Sequence, residues 1–290
     1  MNDQAHNLRK MVEARKHTSL DTKVIAVISG KGGVGKSNVS LNFALSLQEE
    51  GKKVLLFDLD IGMANLDILI GVSPRYHVVD LLEHDYTIWD IIEKGPLGIP
   101  IVAGGSGLLN VFRLDEEKQV RFMKQLQLLQ GAFDYIIFDM GAGASEDSLQ
   151  FILASHELFL ITTPEPPAIT DAYAMLKFIH AKDSTIPTYV IVNREESRKE
   201  GMQTSENLKR VAKRFLNKEI HFLGSIPQDK HVLKAVKAQQ PFCVLYPASP
   251  ATKAVKRTAL QYLGKEVKAT SYSGFIQKLT SFLKKETKQK

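Results

Sequence analysis

From residue 24 onward, short runs of consecutive apolar residues alternate with longer stretches in which apolar positions recur every three or four residues. The runs are VIAVIS (24–29), KVLLFD (53–58), IPIVAG (99–104), YIIFD (135–139), ELFLITT (157–163), TYVIVN (188–193) and HFLGSI (221–226). Apolar character without alternation marks strands buried on both faces, as in parallel sheets. The stretches of helical period fall at 36–50, 116–130, 146–155, 170–182, 203–216, 230–238 and 250–263. Strand and helix in turn predict one α/β domain over 23–264, a doubly wound, mostly parallel sheet with helices on both faces. A polar opening segment, 1–22, precedes it, and 265–290 follows it, where small polar residues (KATSYSG, 268–274) read as a hinge before a last helix.

Composition narrows the class. The chain has 290 residues, 44% hydrophobic and 24% charged, enough to bury a sizeable core. No apolar run approaches the roughly 18 residues of a membrane-spanning helix, and the opening residues lack the apolar stretch of a secretory signal, so a cytoplasmic location is expected. A single cysteine, Cys243, leaves no internal disulfide and no cluster or zinc site built on paired thiolates. Seven lysines against two glutamates between Gly264 and Lys290 place +5 of the net +6 in the last segment. The body is almost neutral, so an anionic surface would be met by the tail and no specific nucleic acid is expected.

The first strand runs into Gly30, Lys31, Gly32, Gly33, Val34, Gly35, Lys36 and Ser37, with Asn38 in the helix that follows. This is G-x-x-x-x-G-K-[ST] between strand and helix, the context in which it forms a phosphate-binding loop (P-loop). Glycines let backbone N–H groups turn inward on a β-phosphate, the helix N-terminus adds its positive dipole end, Lys36 neutralises β/γ oxygens and Ser37 offers a hydroxyl to Mg²⁺. Two further strands end in carboxylates: KVLLFD gives Asp58, with Asp60 two residues on, and YIIFD gives Asp139. A strand-terminal aspartate also serves as a simple cap. Three of them beside a phosphate loop suit nucleotide chemistry, with Asp139 in a water-mediated Mg²⁺ shell and Asp60 orienting an attacking water.

The run KGGVGKS resembles the deviant phosphate loop of the MinD and ParA ATPases, and the resemblance extends over residues 24–264. It implies an ATP/ADP- and Mg²⁺-dependent homodimer in which Lys31 reaches in trans to the partner's phosphates. FDLDIGMANLDILIG (57–71) is similar to the family's first switch, placing the water-activating role on Asp60 and a Mg²⁺-shell role on Asp58. DMGAG (139–143) is similar to the D-x-P-x-G second switch, with Gly141 where proline is usual. The resemblance also sets Asn193 and Arg194 of VNR, and Pro227 and Asp229 of IPQD, against adenine. Read from the residues alone, Asn193 at a strand end is equally a loop residue.

In the tail, Phe275, Ile276, Leu279, Phe282 and Leu283 form one helical stripe, with Lys278, Lys284 and Lys285 beside or opposite it. The pattern suits a helix lying in an anionic membrane interface, and the tail is similar to the membrane-targeting helix of MinD. It also suits a terminal helix packed on its own domain. At the other end, Ala5, Leu8, Met11 and Val12 share one side of a short helix that Asn2 or Asp3 can cap. The words DQAHNLR resemble the element that opens the flagellar-number regulators called FlhG, FleN or YlxH. That resemblance assigns Asp3, Gln4, Ala5, Leu8 and Arg9 to stimulation of the GTPase FlhF. It also implies contact with flagellar C-ring proteins of the FliM, FliN or FliY type. The reading is thus a membrane-cycling ATPase switch regulating flagellar number and placement. Its rivals are MinD-type division-site placement, a ParA-type DNA-segregation ATPase and a phosphoryl transferase acting on a small metabolite.

Overall fold

The computed structural model describes residues 22–60, 66–104, 116–143, 146–264 and 271–287. Strand β1 (Lys23–Ser29) is buried along its whole length, and so are β2 (Val54–Leu59) and β6 (Glu157–Thr162). With β3 (Ile92–Lys94), β4 (Pro100–Val102), β5 (Tyr135–Met140), β7 (Thr188–Glu195) and β8 (His221–Pro227) they form one sheet in the order β3-β4-β2-β5-β1-β6-β7-β8. Every pairing is parallel except β3 with β4. The short antiparallel β3 has no counterpart among the expected strands. Its three residues, IEK, are partly exposed and carry too little apolar signal to stand out.

Successive residues of the central strands serve two separate cores, as the two-residue period of a strand requires. Val24, Ala26, Ile28, Phe57 and Phe138 face one side and Ile25, Val27, Leu56 and Ile137 the other. The second side is covered by α1 (Lys36–Glu49), α2 (Leu66–Ile70), α8 (Lys230–Lys237), α9 (Phe242–Leu245) and α10 (Pro250–Leu263). The first is covered by α3 (Val78–Glu83), α4 (Glu116–Gln127), α5 (Glu146–Ala154), α6 (Pro166–His180), α7 (Arg198–Leu216) and α11 (Tyr272–Thr287).

Two helices begin earlier than their apolar period suggests. Pro166 and Pro167 occupy the first turn of α6, where a missing N–H costs nothing. Ser197 caps α7 by accepting from the Glu200 amide while the Glu200 carboxylate accepts from Glu196 N–H. Of the expected hinge KATSYSG, Tyr272, Ser273 and Gly274 already belong to α11, and 268–270 lie outside the described residues.

Helix α11 lies on the body. Tyr272, Phe275, Ile276, Leu279 and Leu283 are buried in the first core and Phe282 is partly buried against it. The Phe275 ring meets Phe138 of β5 at 5.8 Å, and the Tyr272 hydroxyl donates to the Leu126 carbonyl at 2.8 Å. At the start of the helix, Val24 N–H donates to His156 Nδ1 at 2.8 Å, leaving Nε2–H to the Ser271 carbonyl at 3.2 Å. The stripe expected to enter a membrane is therefore closed against its own domain in this state, while Lys278 and Lys284 face solvent.

Candidate functional site

Strand β1 lies between β5 and β6, with β2 to β5 on one side and β6 to β8 on the other. Connections leaving in opposite directions open a crevice at its carboxyl end, where ligands gather in open α/β sheets. The loop from Lys31 to Gly35 lines a cavity of about 550 Å³ there, with Lys36, Ser37 and Asn38. Gly35 caps α1 at φ 86°, in the left-handed region, and no side chain caps the helix. The first-turn N–H groups are thus left for a phosphate. At Gly30 the reason for glycine is space: a Cβ would stand 2.1 Å from the Asp171 carbonyl of α6.

Asp58 and Asp139 face each other across the β2–β5 ladder. Asp139 is buried, and its Oδ1 accepts from Lys36 Nζ at 2.7 Å and from Ser40 Oγ at 2.9 Å. Its Oδ2 is buried without a hydrogen-bond partner. Lys36 Nζ also lies 3.3 Å from Ser37 Oγ. A carboxylate oxygen held unsatisfied near a serine hydroxyl is a hard-oxygen set that fits Mg²⁺. Among the described residues no group of three or more His, Cys, Asp or Glu forms a metal site by itself. An ion that keeps waters and takes its remaining ligands from phosphates needs none.

Asp58 spends both oxygens on the backbone: Oδ1 on the Asp60 amide at 2.9 Å and Oδ2 on the Leu66 amide at 3.4 Å. Burial, followed by the charge of Asp139, pushes its pKa up to about 7. Its visible work is to hold the Asp60 and Leu66 amides. Asp60 lines the cavity beside Ile68, Leu69 and Ala142. Gly141 sits so near that a Cβ there would stand 3.2 Å from Asp60 Oδ1. Lys31, at the mouth, pairs with Glu165 at 3.3 Å, both side chains substantially exposed.

Of the four residues expected at adenine, only Arg194 lines this cavity, held at φ 59°. Asn193 is buried and donates Nδ2 to the Val34 carbonyl at 2.8 Å, so its amide nitrogen fixes the phosphate loop from behind. Asp229 caps α8, accepting from His231 N–H, and its other oxygen takes the Ala251 amide. Pro227 ends β8, paired with Glu195. Ile68, Leu69 and Val236 were not among the expected site residues, yet they line the cavity. Asp3, Gln4, Ala5, Leu8 and Arg9, and the side chain of Lys285, lie outside the described residues. Cys243 is half-buried, its thiol pushed up to about 11 by burial, and has no part in the site.

A phosphate loop at the switch point of a doubly wound sheet, with two strand-end aspartates beyond it, defines a P-loop nucleotide-binding protein. Residues 25–242 match the CobQ/CobB/MinD/ParA nucleotide binding domain. The antiactivator FleN of Pseudomonas aeruginosa is 35% identical over 237 residues, spanning 82% of this chain and 85% of FleN. The flagellum site-determining protein YlxH of Helicobacter pylori is 36% identical over 247 residues, 83% of each chain. In structure, MinD in the MinC:MinD complex of Aquifex aeolicus superposes with a TM-score of 0.69 at 26% identity, covering 87% of this chain and all of that one. MinD with Mg-ADP from Pyrococcus horikoshii gives 0.66 at 25% identity, covering 83% and 96%. The chain belongs to the FlhG-like MinD/ParA family of nucleotide-binding proteins.

Proposed function

We propose that this protein is an ATP-driven switch that regulates where and how many flagella are built. The observation that carries the reading is one cavity lined by the phosphate loop and Asp60, with Asp139 held behind Lys36 and its Oδ2 unsatisfied. Lys36 exchanges its partner Asp139 for β- and γ-phosphate oxygens, and Ser37 and Asp139 would hold a Mg²⁺, which would supply charge neutralisation there. Asp60, its amide held by Asp58, orients the attacking water. Lys31 leaves Glu165, an exposed pair worth little in solution, and reaches the phosphates of a second copy, so ATP closes a homodimer. Hydrolysis reopens it.

Closing the dimer releases α11 to an anionic membrane surface, and the protein cycles between cytoplasm and membrane. Undocking exposes large apolar side chains, each costing roughly 1.5–3 kcal/mol. The bilayer returns most of that through the same side chains, so the exchange is close to balanced and a modest bias decides it. Two tails in one dimer supply such a bias by avidity. The likeness to the flagellum site-determining protein YlxH favours flagellar placement over division-site placement, and DQAHNLR then stimulates FlhF while C-ring proteins form a second set of contacts. The near-neutral body favours a membrane over DNA.

The deciding measurement is the GTPase rate of FlhF with and without this protein. The rate rises with the intact chain and falls back with Gln4→Ala; an unchanged rate with the intact, folded chain removes the flagellar reading. Liposome sedimentation that is greater with ATP than with ADP tests the membrane step separately.

A further inference from the structure

We propose that Ser40 is a positioning residue that allows Asp139 to release Lys36 when nucleotide arrives; this rests on the ATPase reading above. Ser40 lies one turn after Lys36 on α1, fully buried, and its hydroxyl is 2.9 Å from Asp139 Oδ1 and 3.1 Å from the Lys36 carbonyl. A serine inside a buried helix is a poor choice on propensity, since alanine forms helix better and buries no hydroxyl. Its neighbours Val39 and Leu41 are core residues, so nothing else there calls for a polar group.

The resting geometry supplies the reason. Asp139 Oδ1 has two donors, Lys36 and Ser40, while Oδ2 has none. Once phosphates draw the Lys36 ammonium away, Asp139 sits buried opposite Asp58 with its lysine contact gone. A buried carboxylate stripped of its donors is strongly disfavoured. Ser40 is the donor that stays, because it is fixed to the helix backbone and moves with neither lysine nor nucleotide. It keeps Oδ1 turned to α1 and Oδ2 presented to the Mg²⁺ side. Its hydroxyl has the Lys36 carbonyl as an alternative acceptor and so is never orphaned itself.

The test uses the full chain and a fluorescent ADP analogue, titrated with and without Mg²⁺. For the wild type, Mg²⁺ tightens binding. In Ser40→Ala that gain shrinks by roughly tenfold or more, the loss expected for a hydrogen bond to a charged group, and Ser40→Thr, which keeps the hydroxyl, restores it. In an Asp139→Ala background, which has no acceptor for the hydroxyl, Ser40→Ala adds less than about twofold, because the two residues act through one bond. A merely structural serine would lower Mg²⁺-free binding and the thermal midpoint together, with no dependence on Asp139. A folded Ser40→Ala chain whose Mg²⁺ gain stays within about twofold of wild type, or whose loss is as large in the Asp139→Ala background as with Asp139 intact, overturns the proposal. A wild-type chain that binds no nucleotide overturns the ATPase reading and this inference with it.

Discussion

Asp60 is positioned in part by the Asp58 carboxylate that takes its amide and by the bare Gly141 beside it. A water-orienting carboxylate contributes roughly 10²–10⁴-fold to a hydrolytic step. Asp60→Ala is therefore expected to slow phosphate release by at least about a hundredfold while leaving nucleotide affinity within a few-fold, measured by phosphate release and by titration. Gly35→Ala should do the opposite and abolish binding, since a side chain at φ 86° is strained and its Cβ would stand 2.4 Å from Asn193 Nδ2. These residues were legible in the sequence because phosphate chemistry demands fixed residue types at fixed spacing. Asn193 was legible only as a position. Its bond to Val34 joins residues 159 apart, which no local pattern reveals. The same holds for Ile68, Leu69 and Val236, ordinary aliphatic residues that become site residues only because α2 and α8 border the same cavity.

The terminal helix shows what an amphipathic period can and cannot say. It fixes which residues share a face, and the stripe from Phe275 to Leu283 was read correctly as one side of a helix. It cannot say what that side touches, because a bilayer and a protein core make the same demand. Phe275 is consequently a poor probe of membrane binding: Phe275→Ala should cost the docked state about 3–5 kcal/mol, seen as faster amide exchange through Tyr272–Thr287 with nucleotide affinity retained. Lys284→Glu is the cleaner variant, since Lys284 is exposed on the docked helix. It should reduce sedimentation with anionic liposomes and leave that exchange unchanged.

Docking should also depend on pH. Burial, opposed by its bond to Ser271, holds the His156 pKa below its ordinary value, with Lys23 and Lys278 acting in the same direction as burial and Glu157 against it. With the docked pKa depressed, the undocked state takes up the proton first, so docking is full above the ordinary imidazole pKa and weakens as pH falls through it. Protonation would also remove Nδ1 as the acceptor of the Val24 amide. Amide exchange over α11 should therefore quicken between about pH 7.5 and 5.5, the range around the free imidazole pKa, and His156→Phe should remove the dependence.

At the scale of the molecule, the alternating pattern was enough to recover the seven parallel strands and the two-sided covering, because burial on both faces leaves a continuous apolar run. The edge strand β3 and the short helices α2, α3 and α9 escaped because so few residues carry no readable period. The fold places the phosphate-loop site and the terminal helix in one frame. On β5, Asp139 reaches the nucleotide cavity side and the preceding residue, Phe138, meets Phe275 of the tail on the opposite face. One strand thus touches both the phosphate chemistry and the helix proposed to meet the membrane. If nucleotide weakens the hold of Phe138 on the tail, thermodynamic reciprocity requires the converse: a membrane that captures the tail must raise the affinity for nucleotide by the same factor. The lipid surface is then an effector of the ATPase as well as its destination, and the ratio of ATP affinities with and without anionic vesicles should equal the ratio of vesicle affinities with and without ATP.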